Sequence, residues 1–183
     1  LDRSAVQKTL PGRMRMAFKR TLAGLGARLA DVVMFPTQTM YEYVVKKYFH
    51  VKRNKRFYNW FGKPLQIEGE FPREKPECEK WLCYVTLPTP YKNFETIIRA
   101  MAEISDRVPQ ARLLLTIDLD ETWALNLRRL IKELGLDEIV KCVGTLGERE
   151  VWGLLAKADA FLYPSVFESF GHPMVEAMAS GLP

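Results

Sequence analysis

From Trp81 to Pro183, short apolar runs of strand type alternate with helical apolar spacings, and this alternation leaves few folds open. Residues 81–85 (Trp-Leu-Cys-Tyr-Val) are an apolar strand. Phe94, Ile97, Ile98, Met101 and Ile104 then fall on one helical face, with Asn93 placed to cap it. Residues 113–117 form an apolar run too short for a helix. Trp123, Leu127, Leu130, Ile131 and Leu134 mark the next helix, and Gly135 is placed to end it in a left-handed cap. A strand over 139–143 and a helix over 148–158 follow. Residues 160–163 give a last strand, stopped by Pro164, which has no N–H for the ladder. From about His172 the spacing is helical again, with Met174, Ala177 and Met178 on one face. The pattern predicts an α/β fold with a doubly wound parallel sheet. Such sheets bind ligands in the loops beyond the carboxyl ends of their strands. The loops around Lys92 and Glu168 are therefore the places to look.

The first third differs in charge. Residues 1–63 hold 14 Lys/Arg against 3 Asp/Glu, while the whole chain carries only +5. Pro11-Gly12 reads as a turn, and residues 13–29 as a helix with Met14, Phe18, Leu22, Leu25 and Leu29 in a stripe. Arg13, Arg15, Lys19, Arg20 and Arg28 give it a basic side, which suits either an anionic membrane surface or plain solvation over a sheet. Residues 31–35 form a short strand stopped by Pro36, and Thr37 or Thr39 caps a helix running to about Tyr48. The basic run 50–56 precedes Phe57, Tyr58, Trp60 and Phe61, aromatics that could stack bases. The run is short and isolated, so a loop entering a core strand is the plainer account, and no nucleic acid is expected. Residues 63–80 carry Pro64, Pro72 and Pro76 with dense charge, the composition of a stiff connector. The expected organisation is a domain over 1–62, a linker over 63–80 and a second domain over 81–183. Cys78, Cys83 and Cys142 have neither disulfide nor metal spacing, which fits a reducing cytoplasm. No stretch has transmembrane length.

Glu168 stands just before the last helix and Glu176 about one turn inside it. The first turn of a helix has unpaired N–H groups and suits an anion. The same dipole also favours ordinary surface carboxylates at a helix start, and for a lone glutamate pair that account would suffice. The surrounding residues decide otherwise. The segment 168–181, Glu-Ser-Phe-Gly-His-Pro-Met-Val-Glu-Ala-Met-Ala-Ser-Gly, resembles the E-x7-E signature of retaining glycosyltransferases with the GT-B fold, most closely glycosyltransferase family four. More loosely, residues 30–37 (Ala-Asp-Val-Val-Met-Phe-Pro-Thr) resemble a strand and helix start near the end of the acceptor-side domain in that family.

The resemblance implies two Rossmann-like domains, the first an acceptor-side remnant, the second binding a nucleoside-diphosphate sugar. The start at Leu1 and the stop at Pro183 mark an expected fragment, inactive alone. The implied reaction moves a hexosyl group from that donor to an acceptor glycan, lipid-linked or small molecule, with retention and with neither metal nor cofactor. Glu168 is the implied catalytic residue, beside the anomeric carbon as a transient nucleophile or as an orienting, electrostatic partner, of which the electrostatic role is the one favoured. Glu176 would accept hydrogen bonds from the ribose hydroxyls. Lys92, on the same rim of the sheet, would neutralise the diphosphate. Ser169, Phe170, Gly171 and His172 would line the donor. A cytoplasmic enzyme is implied, with basic residues 13–56 available for peripheral membrane contact.

Two positions depart from the family. An arginine usually precedes the lysine, where Leu87 or Thr89 stands here, and an aliphatic residue usually stands at His172. Two other readings compete. A glycoside hydrolase would use both glutamates as acid and base, but Glu176 lies inside a helix rather than facing a sugar. A degenerate transferase domain would serve as a basic lipid- or nucleic-acid-binding module.

Overall fold

The computed structural model describes residues 10–30, 32–48, 55–57, 69–168 and 170–183. The chain divides into two compact units, Leu1–Gly62 and Lys63–Pro183. The first contains α1 (Leu10–Leu29), β1 (Val33–Phe35), α2 (Gln38–Tyr48) and β2 (Lys55–Phe57). α1 starts at Leu10, so Pro11-Gly12 lies within its first turn and makes no turn of its own. Proline is tolerated there because its missing N–H has no intrahelical partner anyway. β1 and β2 pair in parallel, Val33 opposite Lys55, so Lys55 and Arg56 of the basic run lie in a strand; residues 50–54 lie outside the described residues. Thr37 Oγ1 accepts the Met40 N–H at 3.1 Å and caps α2. Phe35 is buried, with the Tyr41 ring edge-on at 5.5 Å. The apolar stripe of α1 is not covered among the described residues: Met14, Phe18, Leu22, Leu25 and Leu29 are all exposed. Tyr58, Trp60 and Phe61 lie outside the described residues.

The second unit carries β3 (Lys80–Tyr84), α3 (Phe94–Arg107), β4 (Ala111–Leu115), α4 (Leu125–Glu133), β5 (Val140–Cys142), α5 (Glu148–Lys157), β6 (Ala160–Phe161) and α6 (His172–Ala179). Its four strands are all parallel, in the order β5-β4-β3-β6. Side chains alternate across the sheet with the period of two that the pleat imposes. Tyr84, Leu113 and Leu115 face α3 and α4, where Ile98, Met101, Leu127 and Ile131 complete one core. Trp81, Cys83 and Leu114 face the other way, toward Trp152, Leu154 and Leu155 of α5 and Ala177 of α6. Both faces are covered, which is why the strands read as near-continuous apolar runs. Of Met174, Ala177 and Met178, expected on one face of α6, Ala177 is buried and both methionines are exposed. The chain steps outward from β3 to β5 and then returns to place β6 on the other side of β3. The strand order therefore reverses between β3 and β6, and the crevice at their carboxyl ends is the topological switch point.

The connector expected over 63–80 is, from residue 69 onward, part of this second unit. Phe71 is only 3% exposed and meets the Trp81 ring edge-on at 5.9 Å. The backbone at 69–71 lies directly on α5. A Cβ at Gly153 would stand 2.3 Å from the Phe71 nitrogen, and one at Gly69 would stand 2.1 Å from the Arg149 oxygen. Lys157 Nζ donates to the carbonyls of Phe71 and Arg73 at 3.3 and 3.1 Å. Prolines made the segment look like a spacer; one buried aromatic and two glycines fix it in place. Residues 63–68 lie outside the described residues.

Asp159 closes this arrangement before β6. Its carboxylate accepts from Lys75 Nζ at 2.5 Å, Lys80 Nζ at 3.3 Å and the Trp81 N–H at 2.7 Å. Partial burial works against its ionisation, but these hydrogen bonds outweigh it and hold the carboxyl below the ordinary aspartate range. A depressed folded-state pKa stabilises the fold above the ordinary range and loses that contribution as pH falls through the depressed one. Asp159→Asn should therefore cost ~1 kcal/mol at neutral pH and little in strong acid. Urea denaturation at the two pH values checks this; an equal cost at both would refute it.

Candidate functional site

The loop after β3 ends in a short 3-10 turn, Pro90–Lys92, closed by the Lys92 N–H on the Thr89 carbonyl at 3.0 Å. Asn93 follows with φ 57°, the only non-glycine residue with positive φ among those described. Asparagine tolerates this region because its short polar side chain bonds nearby. Here Asn93 Nδ2 donates to the Pro164 carbonyl at 3.2 Å, and Oδ1 accepts from Thr96 Oγ1 at 2.8 Å. Asn93 is the N-cap residue of α3, as its position implies, but its side chain makes no capping bond to the helix backbone and ties the two loops instead. The reversal at Asn93 turns Lys92 into the structure, where it is 8% exposed. A lysine so covered needs a partner. Its ammonium forms an ion pair with the Glu168 carboxylate, from the loop after β6. Burial of Glu168 opposes its charge, but the Lys92 hydrogen bond and charge prevail and hold its carboxyl below the ordinary glutamate range. The switch point thus contains a preformed, partly buried pair of opposite charges.

The two loops are tied at several points. The Tyr84 hydroxyl donates to the Lys92 carbonyl at 3.1 Å and shares a hydrogen bond with Ser165 Oγ at 2.7 Å. The Val166 N–H donates to the Tyr91 carbonyl at 2.9 Å. Beneath them lies Tyr163, whose buried hydroxyl has no hydrogen-bond partner; burial and the nearby Glu168 charge push its pKa up. Gly171 sits on that hydroxyl with φ 85°, and a Cβ there would approach it to 2.7 Å. Glycine is required on both counts. It starts α6, whose first turn follows at once through Met174 N–H to Gly171 O at 3.0 Å.

Of the residues singled out in the sequence, Lys92 and Glu168 are in direct contact. The Phe170 and His172 rings lie 4.9 Å apart at the start of α6. Glu176 is half-buried on the next turn; burial raises its pKa, with His172 opposing and Glu148 reinforcing. Ser169 lies outside the described residues. Where an arginine was expected, Leu87 is 69% exposed and the Thr89 hydroxyl is buried without a partner. Tyr84, Asn93 and Ser165 hold the site together; Asn93 was expected only as a helix cap, and Tyr84 and Ser165 were not singled out for the site. Their only signal was polar atoms close to the loops, which many unrelated residues share. A separate cavity of about 410 Å³ lies beside β5, lined by Arg73, Asp118, Asp120, Arg128 and Lys141 among others; it includes none of the expected site residues. Among the described residues, no group of three or more His, Cys, Asp or Glu is placed to hold a metal ion. No helix among them is long and apolar enough to cross a membrane.

Comparison with known proteins adds to this geometry. Residues 67–183 match the family model described as glycosyl transferases group 1. The chain is 35% identical over 98 residues to mannosylfructose-phosphate synthase of Agrobacterium fabrum, covering 50% of this chain and 22% of that one. It is 32% identical over 123 residues to the MMP alpha-(1->4)-mannosyltransferase of Mycolicibacterium hassiacum, covering 66% and 29%. Among solved structures, sucrose-phosphate synthase of Thermosynechococcus elongatus superposes with a TM-score of 0.72 at 25% identity, over 93% of this chain and 43% of that one. The chain thus spans less than a third of the length of these two sequence relatives.

Proposed function

This chain belongs to the group 1 glycosyl transferases and has a GT-B type α/β fold, and on that premise we propose that its second unit binds a nucleoside-diphosphate sugar for glycosyl transfer. The observation that carries the reading is the Lys92–Glu168 pair at the switch point, beside the start of α6. In this reading the segment 168–176 is an E-x7-E motif of family-four type. The diphosphate takes Lys92, whose compact ammonium neutralises the negative charge that develops on the leaving phosphate. The first turn of α6 adds backbone N–H groups and the positive end of the helix dipole. These supply in place what a metal ion would otherwise supply, so the reaction proceeds without one. Glu176 accepts hydrogen bonds from the ribose. Gly171 brings the backbone close to the donor sugar because no side chain intervenes, and Ser169, Phe170 and His172 line the same stretch.

When the diphosphate draws Lys92 away, Glu168 is left as a carboxylate beside the sugar. It then stabilises the positive charge that grows at the anomeric carbon as the bond to phosphate breaks. The oxygen of an acceptor hydroxyl on a glycan, a lipid-linked sugar or a small molecule bonds to the anomeric carbon with retention of configuration, as the bond to the diphosphate breaks and the hydroxyl proton passes to the departing phosphate oxygen. Glu176 lies within α6 while Glu168 lies in the loop before it, which argues against a hydrolase that needs both carboxylates on one sugar.

Calorimetric titration of the full-length protein with UDP, GDP and ADP, without metal, tests the reading. Selective binding of one diphosphate, weakened at least ~10-fold by Glu176→Ala, is the expected result. Because burial raises the Glu176 pKa, affinity should decline on acidification at a pH above the ordinary glutamate range. Binding of none of the three would end the proposal.

A further inference from the structure

We infer that the Tyr84 hydroxyl is a positioning group for the donor site, setting the Lys92 turn in register with the loop that carries Glu168. The inference rests on the donor-binding reading above and goes beyond it, because Tyr84 lies in the core and touches no substrate.

Tyr84 is the last residue of β3 and is fully buried. Its ring meets Tyr163 edge-on at 6.2 Å and tilts against Phe94 at 5.7 Å. A phenylalanine would serve that packing equally well. The hydroxyl needs a separate reason, since burying one costs free energy unless it is hydrogen-bonded. Two of its hydrogen bonds go to the site: one to the Lys92 carbonyl at 3.1 Å, the other to Ser165 Oγ at 2.7 Å, three residues before Glu168. The two loops leave neighbouring strands, and Tyr84 reaches both from beneath. The Lys92–Glu168 pair cannot do this alone. A charge pair tolerates a range of geometries, whereas two short directional bonds to one rigid ring do not. The outer ties, Val166 to Tyr91 and Asn93 to Pro164, are made between the loops themselves and would move with them. Tyr84 instead anchors them to the sheet through a side chain that sheet and helix packing hold still. Sites are held this way when misplacement by a fraction of an ångström matters.

The test is Tyr84→Phe in the full-length protein, titrated with the diphosphate the wild type prefers and with its monophosphate. Both share the nucleoside, so their difference reports on the Lys92 end. Positioning predicts that diphosphate Kd rises ~5- to 10-fold, monophosphate Kd stays within about twofold, and turnover falls by a similar factor with circular dichroism unchanged. Ser165→Ala should show the same selectivity more weakly, and adding it to Tyr84→Phe should cost little more, because one link joins them. Ser165→Ala also decides the matter if Tyr84→Phe does not fold. Equal losses for both nucleotides, no loss for either, or additive effects of the two substitutions would overturn the inference while leaving donor binding intact. A wild-type protein that binds neither nucleotide would overturn donor binding first, and the inference with it.

Discussion

Lys92→Ala should weaken nucleoside-diphosphate binding by ~100-fold, about 2.7 kcal/mol, the largest loss expected from any single substitution at the site. Two costs combine in it. The diphosphate loses a cation held in a nearly water-free position, where electrostatic interactions are screened least. The free protein is left with a Glu168 carboxylate that is partly buried and has lost its counter-ion, so its pKa must rise. Lys92→Arg should not restore binding, because the larger planar guanidinium does not fit a space shaped around an ammonium. Glu168→Gln is the informative contrast. It breaks the same pair from the other side and frees Lys92, so nucleotide affinity should hold or increase while turnover collapses. If Lys92→Ala binds the diphosphate as the wild type does, Lys92 is only a structural counter-ion to Glu168.

Gly153→Val is expected to destabilise the second unit by ~3 kcal/mol or more, at the upper end of overpacking costs. Its Cβ would stand 2.3 Å from the Phe71 nitrogen and 2.4 Å from the Glu70 carbonyl carbon, both backbone atoms that no rotamer change can move aside. Either α5 shifts, disturbing Trp152, Leu154 and Leu155 on the sheet, or residues 69–71 lift off and Phe71 leaves the core. Gly147→Ala is the control: its Cβ meets only the far end of the Glu150 side chain, at 3.4 Å. Urea denaturation of both variants compares them directly, and a Gly153→Val midpoint equal to that of Gly147→Ala would show that the contact at Gly153 is slack.

The sequence revealed what depends on period and little of what depends on single hydrogen bonds. The face made by Phe94, Ile97, Ile98 and Met101 is buried as its spacing implies, and every strand of the second unit lies within two residues of its apolar run. Lys92 and Glu168 could be placed on one rim because strand-to-helix loops in a parallel sheet all leave from the same edge. That they touch could not be read, since it depends on the φ of Asn93 and on β6 being placed beside β3. The connector was misjudged for a related reason. Prolines and charges dominate the composition of 63–80, but Phe71 and the close approach at Gly69 and Gly153 decide where its described part lies, and a lone aromatic in a polar stretch has no periodicity to betray it. The α1 stripe shows the reverse: its spacing announces a buried face, yet that face is exposed among the described residues.

The strand order also sets a timetable for synthesis. β3 pairs with β4 soon after it leaves the ribosome, but its other neighbour, β6, is made nearly eighty residues later. Until then β3 has an open edge, and the Lys92 turn has nothing to clasp. Residues 69–71 wait likewise for α5. This part of the unit therefore cannot mature piece by piece; its central strand and its ligand-binding rim become native together, only once β6 has been made. Pausing within 116–159 should leave a nascent chain with an exposed β3 edge, the state in which chaperones are most needed.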